Sequence, residues 1–165
     1  MRTNALLLTF LGLFCILKTT AQDTRYVGTW KYHDEWTHEE DNGEYSYEKR
    51  DYYIKIGIED GAVYVRLKLI YNDRNAKYAE GENIRINEDG SISFDEYLNR
   101  RDYHENSHLF WTTWIHYVAK YEGGRLIVSE KTMAEGCNAQ GCLVEDQRDI
   151  FPIKQKIYYN EKDNW

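Results

Sequence analysis

Apolar and polar residues alternate with a period of two along most of the chain, which is typical of β-strands with one buried face. Isoleucines occupy every second position of Ile54–Ile58. The dipeptide Asp60-Gly61 follows, and this pair is typical of tight hairpin turns. Apolar residues then return at every second position of Val63–Leu69. The sequence therefore predicts a β-hairpin here.

Two more hairpins follow the same rule. One pairs Ile84 and Ile86 with Ile92 and Phe94 around the turn Asn87–Gly90. The other consists of a strand at Leu109–Tyr121, a turn at Glu122–Gly124 and a second strand at Leu126–Thr132.

The chain ends in another alternating segment. Pro152 cannot donate to a ladder, so it predicts a bulge or an edge position there. The segment places Phe151, Ile153 and Ile157 on one side and Lys154 and Lys156 on the other.

Together with opening strands near Tyr26–Tyr32 and Tyr45–Lys49, the pattern predicts about eight strands and no helix of appreciable length. The polar stretches Asn72–Asn83 and Asp95–Ser107 are expected to hold loops or a short helical turn. Successive hairpins favour an all-β fold, an antiparallel up-and-down β-barrel, with a β-sandwich as the alternative. A closed barrel has no exposed edge to protect.

The first 21 residues have the layout of a secretory signal peptide. Arg2 precedes the apolar run Ala5–Leu17, which is shorter than the roughly 20 residues that span a bilayer. Small residues precede the expected cleavage site after Ala21, and Cys15 lies inside the removed segment rather than in a lipobox. Residues 22–165 are then expected to form one β-barrel domain, secreted or periplasmic, with no membrane span. The chain has no Asn-x-Ser/Thr sequon, which fits a bacterial source.

The charge of the chain limits the classes of partner. The formal net charge is -7, and removing Arg2 and Lys18 with residues 1–21 makes it more negative by two. Such a chain repels polyanions, so we expect no nucleic-acid partner.

Cys137 and Cys142 are the two cysteines that remain after cleavage. In an exported chain they are expected to form a disulfide across a loop tip. A redox pair would normally have the C-x-x-C spacing, and a zinc site needs more ligands than two thiols.

The segment Gly28-Thr29-Trp30 opens the first strand of the expected barrel and resembles the Gly-x-Trp motif of the lipocalin and calycin group. The resemblance implies that Trp30 plugs one end of the barrel and that an arginine of the last strand covers it, for which Arg148 is the candidate. The chain departs from the family pattern, because Glu122–Gly124 replaces the T-D-Y motif and no helix follows the last strand. The alternative interpretation is that Trp30 is an ordinary core tryptophan of another β fold.

A barrel of this kind is expected to bind a small apolar or amphipathic molecule in its interior. The candidate ligand-binding residues face inward in the predicted strands or are aromatic: Ile56, Val65, Leu67, Phe94, Trp114 and Tyr117. The alternative is a non-catalytic carbohydrate- or protein-binding module that uses surface tryptophans and tyrosines. Trp36, Trp111 and Trp114 are the tryptophans whose exposure separates the two.

Histidines and acids cluster in His33–Asp41, where imidazole and carboxylate could hold a metal, although acidic segments are more often solvated surface. His108 and His116 would lie too far apart on one strand to share a metal. The sequence has no nucleophile, metalloprotease or phosphate-loop motif. We therefore expect no catalytic activity, cofactor or metal. The remaining enzyme hypothesis would use His33, Glu35 and His116.

Overall fold

The computed structural model describes residues 24–104, 108–138, 140–146, 155–162 and 165. The described chain is an antiparallel all-β structure that begins with one turn of 3-10 helix at Thr24–Tyr26. The expected fold class is confirmed. The strands are β1 Gly28–Glu39, β2 Tyr45–Glu59, β3 Ala62–Tyr71, β4 Lys77–Glu80, β5 Glu82–Ile86, β6 Ile92–His104, β7 Leu109–Glu122, β8 Arg125–Asn138, β9 Gly141–Asp146 and β10 Lys156–Glu161.

The strands form a nearly closed barrel in the order β4-β3-β2-β1-β10-β8-β7-β6-β5. The two ends of this order, β4 and β5, are joined by Gly81 alone. The Gly81 amide donates to the Val65 carbonyl at 2.8 Å, after which the chain leaves β3 and pairs with β6. A Cβ on Gly81 would lie 2.8 Å from Cβ of Val65. Glycine thus lets one bent segment join both edges of the sheet.

The hairpin predictions are confirmed. Ile54 pairs with Leu67 and Ile56 with Val65 across β2 and β3, as the alternation requires. The hairpin from β7 to β8 turns at Gly123-Gly124, where both glycines have positive φ. Each polar stretch expected to form a loop contains strand instead. β6 continues through most of Asp95–Ser107, and β4 and the start of β5 lie within Asn72–Asn83.

The barrel is closed at the end where β1 begins. The Trp30 indole is 2% exposed and donates to the Tyr26 carbonyl at 2.8 Å. The Tyr26 hydroxyl donates to the Gly90 carbonyl at 2.7 Å and accepts from the Tyr121 amide at 3.1 Å. The helical turn and the first strand therefore tie together the ends of β6 and β7. The other half of the predicted closing motif, Arg148, lies outside the described residues.

A densely packed apolar core fills the lower half of the barrel. Phe94, Ala119, Leu126 and Val128 have no exposed surface. Burying a valine, leucine or phenylalanine side chain stabilises the fold by about 1.5–3 kcal/mol. Packing of this kind leaves no room for a ligand at this level. The upper half of the barrel differs, since its inward residues are largely tyrosines and charged side chains.

Within the described residues, the last strands pair with only part of each neighbouring strand. β10 pairs with β1 only through Thr29–Lys31 and with β8 only through Arg125–Val128. β9 pairs with the far half of β8, at Met133–Asn138. Within the described ranges, the remaining length of β1 is paired on one side only, with β2.

Cys137 and Cys142 face each other across the β8–β9 hairpin, with 2.12 Å between their sulfur atoms. The pair is compatible with an extracellular location, where disulfides persist. In the part of the chain that the structure covers, no helix has the length and apolar character needed to cross a membrane.

Candidate functional site

A cavity of about 370 Å³ lies above the apolar core. Apolar and aromatic side chains of β2, β3, β4, β6 and β7 form part of its wall, and polar side chains of β3, β4, β6, β8 and β10 form the rest. The cavity therefore offers both apolar contact and hydrogen-bonding groups to a small molecule. Its lining residues are Tyr52, Tyr53, Ile54, Leu67, Lys68, Leu69, Lys77, Tyr78, Ala79, Glu96, Leu98, Ile115, Tyr117, Glu130, Lys156 and Tyr158.

A layer of tyrosine rings separates the cavity from the core. Tyr117 stacks on Phe94 with 4.9 Å between ring centroids. Tyr32 contacts Tyr52 at 5.8 Å and Tyr158 at 5.6 Å. Tyrosine combines a flat apolar ring with a polar tip, so the layer presents hydroxyl groups above a hydrophobic floor.

An ion pair joins β10 and β8 on the inner face of the barrel. The Lys156 ammonium donates to both oxygens of Glu130 at 2.8 Å. The same ammonium lies 4.1 Å from the centroid of the Tyr52 ring, within the range of a cation–π contact. Only 13% of the Lys156 side chain and 22% of the Glu130 side chain are exposed. The pair is thus largely desolvated and held in one position.

A second carboxylate lies in the same cavity. The Tyr117 hydroxyl donates to Glu96 at 2.6 Å. Burial raises the pKa of Tyr117 well above its ordinary value, and the nearby Glu96 carboxylate raises it further. Burial likewise raises the pKa of Tyr158, with a contribution from Glu130. Both hydroxyls therefore stay protonated in the physiological range and can act as hydrogen-bond donors.

A second cavity of about 440 Å³ lies toward the mouth of the barrel. It shares Leu69 and Lys77 with the inner cavity. Three cationic side chains lie on its wall. Its lining residues are Arg50, Leu69, Tyr71, Arg74, Asn75 and Lys77.

The predicted ligand-binding residues lie at three different places. Leu67 and Tyr117 line the inner cavity. Ile56, Val65 and Phe94 lie in the closed core below it, at 2%, 1% and 0% exposure. Trp114 packs against Tyr97 with 6.0 Å between centroids. Trp114 is directly opposite Tyr97, and the core residue Phe94 is directly opposite Tyr117. Because Trp114 lies three positions from Tyr117, alternation places Trp114 and Tyr97 on the outer face of the sheet.

The charged residues of the cavity were not predicted from the sequence. The alternation around Lys156 suggested an apolar inward side and an outward lysine side. The structure has the reverse, because Lys156 lines the cavity while Ile157 is 37% exposed. Glu96 and Glu130 follow the inward period of Phe94 and Val128 on their own strands. That period is the signal that could have identified them.

His33 and Glu35 of the acidic segment His33–Asp41 lie on the outer side of β1. His33 Nδ1 is 2.6 Å from Asp51 and Nε2 is 3.3 Å from Glu35. Hydrogen bonds to Asp51 and then Glu35 raise the pKa of His33. Among the described residues, Glu135 with the bonded Cys137 and Cys142 is the only group whose spacing would suit a metal, and its cysteines are already paired.

His116 forms a separate contact on the outer face of β7. Its Nδ1 is 2.7 Å from Asp95, and Asp95 also accepts from Asn83 at 2.9 Å. His33 and Glu35 belong to the network around Asp51, on β1 and β2. The three residues of the enzyme hypothesis thus belong to two separate hydrogen-bond networks. One lies on β1 and β2, and the other lies on β6 and β7.

No family model, curated protein or solved structure matches the chain. The nearly closed antiparallel barrel is compatible with a lipocalin-like fold.

Proposed function

We propose that the protein is a secreted, lipocalin-like binder of a small amphipathic molecule, which occupies the barrel interior. The observation that carries the proposal is the inner cavity of about 370 Å³, which has both apolar and polar walls above a closed core. Cavities of this size bury most of the surface of a small organic ligand. We assign no reaction to this cavity.

The wall composition favours an amphipathic ligand over a purely apolar one. Ile54, Leu67 and Ile115 offer aliphatic contact on the wall. Glu96 has an oxygen atom beyond the one that accepts from Tyr117, so the carboxylate can accept a further hydrogen bond from a ligand. A purely apolar ligand would desolvate these polar groups without replacing their hydrogen bonds to water.

The cellular location is part of the same proposal. A signal peptide over residues 1–21, cleavage after Ala21 and a bacterial source are supported by the sequence pattern alone. The bonded pair Cys137–Cys142 agrees with export to an oxidising compartment.

The first experiment is native mass spectrometry of the protein purified from its own host, followed by solvent extraction. We expect a co-purifying molecule of low mass. Titration with the neutral fluorescent probe N-phenyl-1-naphthylamine then tests the cavity directly. Ile115→Trp fills the inner cavity and should weaken probe binding by about tenfold or more.

Ile157→Trp is the matched control, because Ile157 is exposed on the outer side of β10. It should leave probe binding unchanged. Circular dichroism of both variants establishes that they fold. Equal binding by the Ile115→Trp protein and the parent protein would exclude the inner cavity as the binding site.

A second candidate function is carbohydrate binding on the outer face. Tyr97 and Trp114 lie side by side there, and the Arg100 guanidinium is 4.0 Å from the Tyr97 ring centroid. Flat aromatic rings beside polar groups suit stacking against a sugar. A glycan array tests this, with Trp114→Ala expected to abolish any binding. Persistence of glycan binding in that variant would exclude this face.

A further inference from the structure

We infer that the ligand carries an acidic group, a carboxylate or a phosphate or sulfate ester, which binds at the barrel mouth between Arg50, Arg74 and Lys77. These three side chains are called the mouth cations below. The inference rests on the proposed function, because it assigns the other end of the same ligand to the inner cavity. The two cavities are adjacent, since Leu69 and Lys77 line both of them.

The register of the sheet places two mouth cations on the inner face. Arg50 pairs directly with Tyr71 across β2 and β3, and Lys77 pairs with Leu69 across β3 and β4. Residues directly opposite in a ladder point to the same face. Leu69 and Tyr71 lie two and four positions from the core residue Leu67, so their partners Lys77 and Arg50 point to the inner face at the barrel mouth.

Aromatic rings hold Arg50 in place. Its Cζ atom is 4.5 Å from the Trp36 ring centroid and 5.3 Å from the Tyr71 ring centroid. One Nη1 group is 3.5 Å from the Tyr52 hydroxyl. Contacts with ring faces leave the edge of a guanidinium group available, and this edge is the part that binds carboxylate and phosphate oxygens. The Arg50 guanidinium is therefore pre-organised to bind an anion.

The loop between β3 and β4 carries Arg74 to the same cavity. The Arg74 amide donates to the Tyr71 carbonyl at 2.9 Å, which closes a turn. The Asn72 side chain accepts from the Lys49 amide at 2.8 Å and ties the loop to β2. Asp73 forms an ion pair with Lys49. The nearest acidic residue of the loop is thus engaged with another cation.

Carboxylates near the mouth leave a positive surplus. Glu48 is hydrogen-bonded to the Tyr71 hydroxyl, and Asp34 is opposite Arg50 in the β1–β2 register. Three cations thus face two acids, although the whole chain has a net charge of -7. Within the described residues, neither Arg74 nor Lys77 has a carboxylate partner within ion-pair distance. An acidic ligand group would supply that partner.

The test compares two dyes with the same aromatic body. 1-Anilinonaphthalene-8-sulfonate carries an acidic group, and N-phenyl-1-naphthylamine lacks it. We expect the sulfonate to bind about tenfold more tightly, since a hydrogen bond to a charged group contributes about 1.5–3 kcal/mol. The variant with Arg74→Gln and Lys77→Gln should lose this advantage and bind the neutral dye as before.

Arg85→Gln and Lys131→Gln together form the matched control, because they remove the same charge outside the mouth. Arg85 is directly opposite Ser93 on β5 and β6, and Lys131 is directly opposite His116. The control should bind both dyes like the parent protein. If the control loses as much sulfonate affinity as the variant with Arg74→Gln and Lys77→Gln, the effect comes from net charge alone. That result would overturn the inference.

Two other outcomes separate the inference from the proposed function. Binding of both dyes with equal affinity would overturn the acidic-group inference and leave the cavity binder intact. Binding of neither dye would contradict the proposed function itself. Displacement by alkyl carboxylates, alkyl phosphates and alcohols of one chain length then distinguishes the sources of the acid. Alcohols as effective as the acids would also overturn the inference.

Discussion

Lys156 donates to both carboxylate oxygens of Glu130 inside the barrel, at 2.8 Å each. The contact joins the short strand β10 to β8, next to the point where their ladder ends at Lys156–Val128. Within the described residues, the ion pair therefore lies at the last paired position between the two strands. It links β10 to β8 and also borders the cavity.

Removing one partner of this pair should cost more than removing both charges. Lys156→Met leaves Glu130 as a largely buried, unpaired carboxylate, and we expect a loss of about 1–3 kcal/mol in the free energy of unfolding. Adding Glu130→Gln to Lys156→Met removes the unpaired charge and should restore at least part of that loss. Urea titrations of the parent, both single variants and the double variant measure the coupling. Additive effects of the two changes would show that the pair contributes nothing as a unit.

Gly81 should be essential for closing the barrel. A Cβ at this position would meet Val65 Cβ at 2.8 Å and a Phe94 ring carbon at 3.3 Å. Gly81→Ala is therefore expected to destabilise the protein by about 1–3 kcal/mol, as overpacking does. Val65→Ala in the same chain keeps the Val65 Cβ but removes its Cγ1, which would lie 3.1 Å from the new Cβ, so it should add less than its own separate cost. Thermal unfolding of the four proteins gives the comparison, and an unchanged melting temperature in Gly81→Ala would contradict this account of the corner.

The sequence predicts the hairpins because their inner faces belong to the apolar core, where period two is visible, as in Ile54–Ile58. Prediction from the sequence fails for the part of the barrel above the core, and the reason is physical. Inner positions there line a polar cavity, so the alternation of Asp95–His104 carries no apolar signal and the strand is missed. Lys156 is the sharpest example, since its inward position depends on Glu130, a partner on another strand that spacing along the chain does not show.

The bond between Cys137 and Cys142 should matter little for folding. It closes a loop of sequence separation 5 between residues already paired in a hairpin. A loop this short gives about 2 kcal/mol at most in the chain-entropy account, because the contribution grows with loop length. We expect the protein with Cys137→Ser and Cys142→Ser to fold and to lose no more than that. Urea unfolding with and without reductant checks the parent protein, and complete unfolding on reduction would contradict the prediction.

His33 should make the stability of the protein depend on pH. Hydrogen bonds to Asp51 and then Glu35 raise its pKa above the ordinary value of 6.5. A group with a raised pKa in the folded state binds its proton more tightly there, so its stabilisation is complete below pH 6.5 and is lost as pH rises through the folded-state pKa. The free energy of unfolding should therefore fall over that interval. The side chain is 45% exposed, so the change should be small.

Two variants isolate this contribution. His33→Gln should flatten the fall in stability above pH 6.5 without changing the fold. Asp51→Asn removes the main cause of the shift and should return the pKa of His33 toward its ordinary value, as followed by NMR of the imidazole protons. Glu35→Gln should have the same effect to a smaller degree, because Glu35 lies 3.3 Å from the ring and Asp51 lies 2.6 Å away. A His33 pKa that stays unchanged in Asp51→Asn would show that this hydrogen bond does not hold the proton.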